Sequence, residues 1–302
     1  MIQFSNFHKG ILCAIFSAIL FGLPAYFGVR ILKIGDFSIV NMLFWRFFVT
    51  MLVFGIILIF KKQLFLLDKR EGGYAFGISS LFGLSSIFYF MASKYIGTGL
   101  SMVIFFTFPT MVAVLSWFFN GHRGTVLYFF ASLFLTGLGI FLLTDKGHLT
   151  INTYGFGLSA LSALSYAFYM IISKKEVRKL SPMLSSFAVT LGCMFFFFLA
   201  SFGSHSFCIP ESFILWVYIL GISIIATVLP LYLMLLSLEY ITSTEVSILS
   251  ALSPIVTVIV GISFLNESLN WIQAIGILTV LGGSVIIQFD KSLVDKQCNN
   301  MK

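Results

Sequence analysis

From Lys9 to Phe289 the chain is a succession of apolar stretches about twenty residues long, separated by short segments that carry nearly all of its charge. Twenty helical residues at 1.5 Å each cross the roughly 30 Å hydrocarbon layer of a bilayer. Within lipid such a stretch satisfies its own backbone hydrogen bonds only as a helix, or as part of a closed barrel of much shorter strands. The pattern therefore predicts an all-α integral membrane protein. A soluble fold fails on surface: 59% of the 302 residues are hydrophobic and 10% are charged, against about 25% charged in soluble domains. Even a domain of this size buries only about 75% of its unfolded surface, so lipid must cover the remainder.

Ten spans are expected, at 9–29, 36–60, 72–93, 98–119, 124–143, 154–172, 183–202, 213–237, 243–264 and 271–289. Two separations rest on weak breaks, Lys94 with Gly97 and Gly99, and Asn120-Gly121-His122-Arg123. Without them, residues 72–143 would be too long for two helices. The first stretch exceeds a signal-peptide core and ends in no A-x-A site, so it is expected to stay as span 1.

Orientation follows from the cations. With the N-terminus inside, the inner segments hold Lys9, Lys61, Lys62, Lys69, Arg70, Arg123, Lys174, Lys175, Arg178, Lys179, Lys291, Lys296 and Lys302. The outer segments hold Arg30, Lys33, Lys94 and Lys146. This asymmetry predicts both termini in the cytoplasm of a cell bounded by a cytoplasmic (inner) membrane. It also accounts for the net charge of +7 without nucleic acid as a partner.

The two halves of the chain repeat at an offset of 145 residues. Gly10 meets Gly155, Ser17-Ala18 meets Ser162-Ala163, Tyr95-Ile96 meets Tyr240-Ile241, Pro109 meets Pro254, Phe119 meets Phe264 and Gly137 meets Gly282. The offset fails to hold cleanly through spans 3 and 8, which implies an insertion or deletion there. Five spans per repeat is an odd number, so the second copy must enter the membrane from the opposite face. Inverted repeats of this kind place a binding site near the midplane, between halves that rock to alternate its access. The expected organisation is two inverted five-helix repeats, 9–143 and 154–289, followed by a cytoplasmic tail, 290–302.

One stretch is the most distinctive: Leu238-Glu239-Tyr240-Ile241-Thr242-Ser243-Thr244-Glu245, then Leu249, Ser253-Pro254 and Leu265-Asn266-Glu267-Ser268-Leu269. Ala92-Ser93-Lys94-Tyr95 and Phe108-Pro109 look like its first-repeat copy, joined by Trp45-Arg46-Phe47 on span 2 and Phe21-Gly22 on span 1. Together these resemble the EamA family of the drug/metabolite transporter superfamily, over about residues 9 to 289. The chain departs from that pattern at His122 and Ser253, where glutamate is usual, and at Phe21, where tryptophan is usual. The resemblance implies a secondary transporter of a small metabolite.

Arg46 lies about ten residues into span 2. A charge at that depth costs about 2.5–3.5 kcal/mol on insertion scales and normally faces a cavity or a partner. Its planar fork of donors suits a carboxylate or phosphate, which makes an amino acid or related carboxylate the suspected substrate. Asn41 or backbone carbonyls are the alternative partners. Pro109 and Pro254 each remove a helix hydrogen bond and free a carbonyl, which points to spans 4 and 9 as lining helices. Tyr89, Tyr166 and Tyr169 bring mid-span hydroxyls that need partners, with Ser85, Ser86, Ser162 and Ser165 beside them or engaged in helix packing. Glu245, a turn inside span 9, is a candidate for coupling to a proton or counter-substrate; the plainer reading is an acid at a helix start. Gly276 and Gly283 read as close helix contact.

Rival classes lack their signatures. There is no P-loop, no H-E-x-x-H and no G-x-S-x-G, so neither ATP hydrolysis nor an intramembrane enzyme is indicated. Channels show rings of like charge or filter loops; a channel or a non-transporting scaffold is the alternative. Cys13, Cys193, Cys208 and Cys298 form no paired motif, and His8, His122, His148 and His205 share no ligand spacing, so no metal or cofactor is expected. A monomer or a homodimer fits equally.

Overall fold

In the computed structural model residues 2–34, 37–63, 69–120, 126–144, 152–176 and 181–289 are described, and every described element is helical. The candidate tail 290–302, together with His122, His148, Arg123, Lys146, Arg178 and Lys179, lies outside those residues.

Span 1 is two helices, α1 (Ile2–Phe21) and α2 (Pro24–Ile34). The break falls at Pro24, which has no N–H to continue the ladder. Span 2 is α3 (Ile39–Phe60), whose cap Ser38 accepts the N–H of Asn41. Span 3 is α4 (Lys69–Ile96). Span 4 divides into α5 (Thr98–Phe105) and α6 (Phe108–Asn120), followed by α7 (Val126–Thr144). The second half begins with α8 (Thr153–Glu176) and α9 (Pro182–Gly203), the latter started by Ser181 as cap and Pro182 in the first turn. Span 8 is composite: α10 (Phe213–Leu220), a π-helix (Gly221–Val228) and α11 (Leu229–Ser237). Span 9 divides into α12 (Ser243–Ser250) and α13 (Leu252–Leu265), and α14 (Trp271–Ile286) closes the bundle.

Among the described residues nine helical segments are long and apolar enough to cross a membrane. The expected fifth span is shorter. Its apolar part, Leu127–Leu143, is about 25 Å long at 1.5 Å per residue, just under the hydrocarbon thickness. Span 1 is longer than its expected 9–29, reaching Asn6–Ile34.

Contacts between the two halves come in exchanged pairs. A Cβ on Gly10 would lie 2.7 Å from Ile241, and one on Gly155 would lie 2.9 Å from Ile96. Ser17 donates to the carbonyl of Pro230 at 2.7 Å, and Ser162 donates to the carbonyl of Ser85 at the same distance. Each pair becomes the other when 145 is added to its first-half residue and subtracted from its second-half residue. At helix level, α1 packs on α11 as α8 packs on α4. The pairs α3–α9, α5–α13 and α7–α14 map onto themselves. Contacts between α7 and α14 are exchanged at 144: a Cβ on Gly139 would press on the Gly276 carbonyl, and one on Gly283 on the Ser132 carbonyl. Gly276 and Gly283 are thus close-contact residues, as read from the sequence. Gly137 and Gly282, aligned in the sequence, meet nothing nearby.

The π-helix accounts for the irregular repeat in spans 3 and 8. Ser79 of the first half lies against Gly192 of the second, and Ser223 of the second half donates to the Arg46 carbonyl of the first at 3.1 Å. Arg46 and Gly192 correspond at 146, the offset that also exchanges Asn41–Ser201 with Gly55–Phe187. Ser79 thus pairs with Ser223, and Ser85 with Pro230. Six positions separate the first two serines, but seven separate Ser223 from Pro230. One extra residue in a helix is absorbed as a π-turn, and here it lies within Gly221–Val228.

Candidate functional site

The π-helix matters because of what it delivers to Arg46. The Arg46 Nε donates to the hydroxyl of Thr227 at 3.2 Å, and that hydroxyl donates to the carbonyl of Ile222, five residues back, at 2.8 Å. The five-residue step is the π register. It lets Thr227 spend its proton on its own helix while its lone pair faces the guanidinium. The Arg46 backbone is fixed as well, since its carbonyl accepts from Thr50 at 2.8 Å and from Ser223. The guanidinium carbon lies 5.3 Å from the Phe47 ring centroid, a cation–π distance. Phe47 is itself held by parallel stacking on Phe197, 5.7 Å away.

Arg46 is nine-tenths buried. Among the described residues no carboxylate bonds it, and Nε carries its one side-chain hydrogen bond. Four of its five donors are therefore not spent on any described residue.

Aromatic residues continue from this point. Phe47 touches Phe82 at 5.8 Å, and Phe82 touches Tyr166 and Tyr169 at 6.0 and 5.3 Å. Phe105 joins Tyr166 to Tyr89, at 5.3 and 6.2 Å. The structure thus brings Arg46, Tyr89, Tyr166 and Tyr169 into one cluster contributed by spans 2, 3, 4 and 6. The neighbouring serines do something else: Ser85 and Ser162 exchange hydroxyl-to-carbonyl bonds at 2.9 and 2.7 Å and join α4 to α8.

Pro109 and Pro254 lie in the first turns of α6 and α13, where spans 4 and 9 break at Phe106–Thr107 and at Ala251. The Phe106 carbonyl, exposed by the first break, accepts from Ser284 of α14 at 2.8 Å. Gly22 plays a similar part in span 1, its carbonyl accepting from Thr257 of α13 at 2.9 Å.

One expectation shifts. Asn41 does not reach Arg46. Its amide donates to the carbonyl of Cys208 at 2.9 Å, and its oxygen accepts from Ser201 at 3.5 Å. Trp45, one turn on, donates to the same Cys208 carbonyl at 3.0 Å. Five residues along a helix place side chains about 140° apart, so Asn41 and Arg46 face different neighbours. Glu245 takes the plainer of its two readings, an acid at a helix start: its Oε2 accepts from the Thr242 N–H and hydroxyl, both at 2.8 Å, while its own N–H reaches the Thr242 hydroxyl at 3.3 Å. Sequence reasoning did not single out Thr227. The clue was the broken offset in spans 3 and 8, which marks the inserted residue.

A family model described as the EamA-like transporter family matches residues 8–145 and, a second time, residues 153–289. The chain belongs to that family. This EamA-like protein is similar to an uncharacterized transporter of Synechocystis sp., with 24% identity over 238 residues, 76% of this chain and 70% of that one. It is similar to the uncharacterized transporter YetK of Bacillus subtilis, with 25% identity over 252 residues, 78% and 71% of the two chains. An uncharacterized transporter of Archaeoglobus fulgidus shares 26% over 155 residues, 49% of this chain and 52% of that one. Its fold matches a protein crystal structure with a TM-score of 0.63 at 14% identity, over 92% of this chain and 96% of the other. The EamA-like chain is thus a multi-pass helical membrane protein of a transporter family.

Proposed function

We propose that this EamA-like protein is a secondary transporter carrying a small metabolite with a carboxylate group, an amino acid or a related acid, across the cytoplasmic membrane. Its working parts are two inverted halves, 9–143 and 154–289, of five crossings each. The exchanged contacts between the halves support this reading: an odd number of crossings turns a two-fold exchange into an inversion of the two membrane faces, the arrangement suited to alternating access. The short helix Leu127–Leu143 serves as the fifth crossing, and both termini face the cytoplasm.

The observation that carries the substrate class is Arg46, a buried cation pinned through one nitrogen and otherwise unspent. A carboxylate entering the site would take two parallel donors from the guanidinium fork. The rings of Phe105, Tyr166 and Phe82 would flank the remainder of the molecule.

Purified protein screened by thermal shift against a metabolite library tests this. A ligand at a hundred times its Kd stabilises by about 2.7 kcal/mol. The expected result is stabilisation by carboxylates, their saturable counterflow in proteoliposomes, and loss of both in Arg46→Gln. Undiminished binding or uptake by that variant would remove Arg46 from the site.

A further inference from the structure

We propose that Glu267 is a latch that holds one end of the transport pathway shut, so that the protein rests closed at that end and open-prone at the other. This rests on the transporter reading above, but its test requires no substrate.

The first turn of α5 has no cap of its own. Gly97 occupies the cap position at φ +81° and brings no side chain. Helix starts leave backbone N–H groups unpaired, and a side-chain oxygen or an anion normally satisfies them. Here the anion comes from 169 residues away: the Glu267 carboxylate accepts from the Thr98 N–H, from the Thr98 hydroxyl at 2.8 Å and from the Gly99 N–H at 3.0 Å.

The socket is built for it. A Cβ on Gly97 would approach the carboxyl carbon to 3.2 Å, and one on Gly261 would collide with Oε2. Asn266, in the left-handed conformation at φ 58°, turns the chain so that the Glu267 N–H also returns to the Gly261 carbonyl at 3.1 Å. Arg30 of α2 adds a bond from Nη2 to the Phe264 carbonyl at 3.3 Å, in the last turn of α13. A cavity of about 300 Å³ bounded by Tyr95, Asn152, Asn266, Glu267 and Gln273 lies over this junction.

The opposite end is made differently. Exchange of the halves moves the start of α5 onto the start of α12, and Glu267 onto position 122, which is histidine. The start of α12 is instead capped from within, by Thr242 and Glu245. Separating the helices at the Glu267 end breaks three bonds to a carboxylate that join one half to the other. Separating them at the α12 end leaves its capping box whole.

Interspin distances test this in a variant whose four native cysteines are replaced. One label pair, Lys94→Cys with Trp271→Cys, spans the Glu267 end. The other, Glu239→Cys with Leu127→Cys, spans the opposite end. Glu267→Gln presents an amide N–H₂ to donors, and Gly261→Ala evicts the carboxylate sterically without altering it. Each should raise the population of long distances across the Glu267 end by about tenfold, the equivalent of losing one charge-assisted hydrogen bond, whereas Glu245→Gln should leave it unchanged. A wild-type distribution in either folded variant would overturn the latch. A shift in both variants without any ligand or uptake in the assays above would leave the latch standing and sink the transport reading.

Discussion

Arg46 donates its Nε proton to the Thr227 hydroxyl at 3.2 Å, within the one helical turn where the second half of the chain carries a residue that the first half lacks. The bond therefore has no counterpart on the other side of the pseudo-symmetry, where Gly192 stands opposite Ser79. Two similar halves have been made unequal at the point where a charge is buried. π-turns gather at functional sites, and this one both orients a cation and leaves its fork open.

Thr227→Val keeps the β-branched shape and removes the acceptor. A hydrogen bond to a charged group is worth about 1.5–3 kcal/mol, so substrate affinity should fall about tenfold or more while membrane abundance holds. Ligand titration by thermal shift, alongside quantitative blotting, reads both.

Arg46→Lys keeps a cation and loses the planar fork. Carboxylate binding should survive but weaken, between wild type and Arg46→Gln. Equal behaviour of the lysine and glutamine variants would mean that the fork geometry, and not charge alone, governs recognition.

Gly139 and Gly137 make a paired test of the close α7–α14 contact. A side chain at 139 would press on the Gly276 carbonyl and on Val280, whereas one at 137 meets open space. Gly139→Val should cost about 1–3 kcal/mol by overpacking and lower the melting temperature by several degrees. Gly137→Ala should leave it unchanged or slightly higher.

The capping box at α12 predicts that Thr242→Ala costs about 1 kcal/mol of stability, measured by thermal unfolding in detergent. Glu245→Gln preserves the box, since glutamine serves there too. Its transport should keep the pH profile of the wild type; a displaced profile would make Glu245 a coupling residue.

The sequence by itself determined the class of fold, the duplication and the candidate cation. Apolar length and cation placement act locally, each stretch being judged against lipid without reference to its neighbours, and so they can be read in one dimension. The constant offset exposed the repeat for the same reason, and its failure in spans 3 and 8 already marked an insertion or deletion. Arg46 stood out because a charge at mid-span is costly whatever surrounds it.

Only the tertiary structure decided what each polar group is bonded to. Asn41 and Arg46 are five positions apart, yet one anchors the segment at Cys208 and the other faces the π-turn. Glu267 falls between spans 9 and 10 in the sequence, and its role emerges only where α5 lies beside it, lacking a cap. These bonds join residues 167 to 181 positions apart. Their partners are set by how helices pack and by how far one inserted residue rotates a turn, and neither quantity is written in any single stretch of the chain.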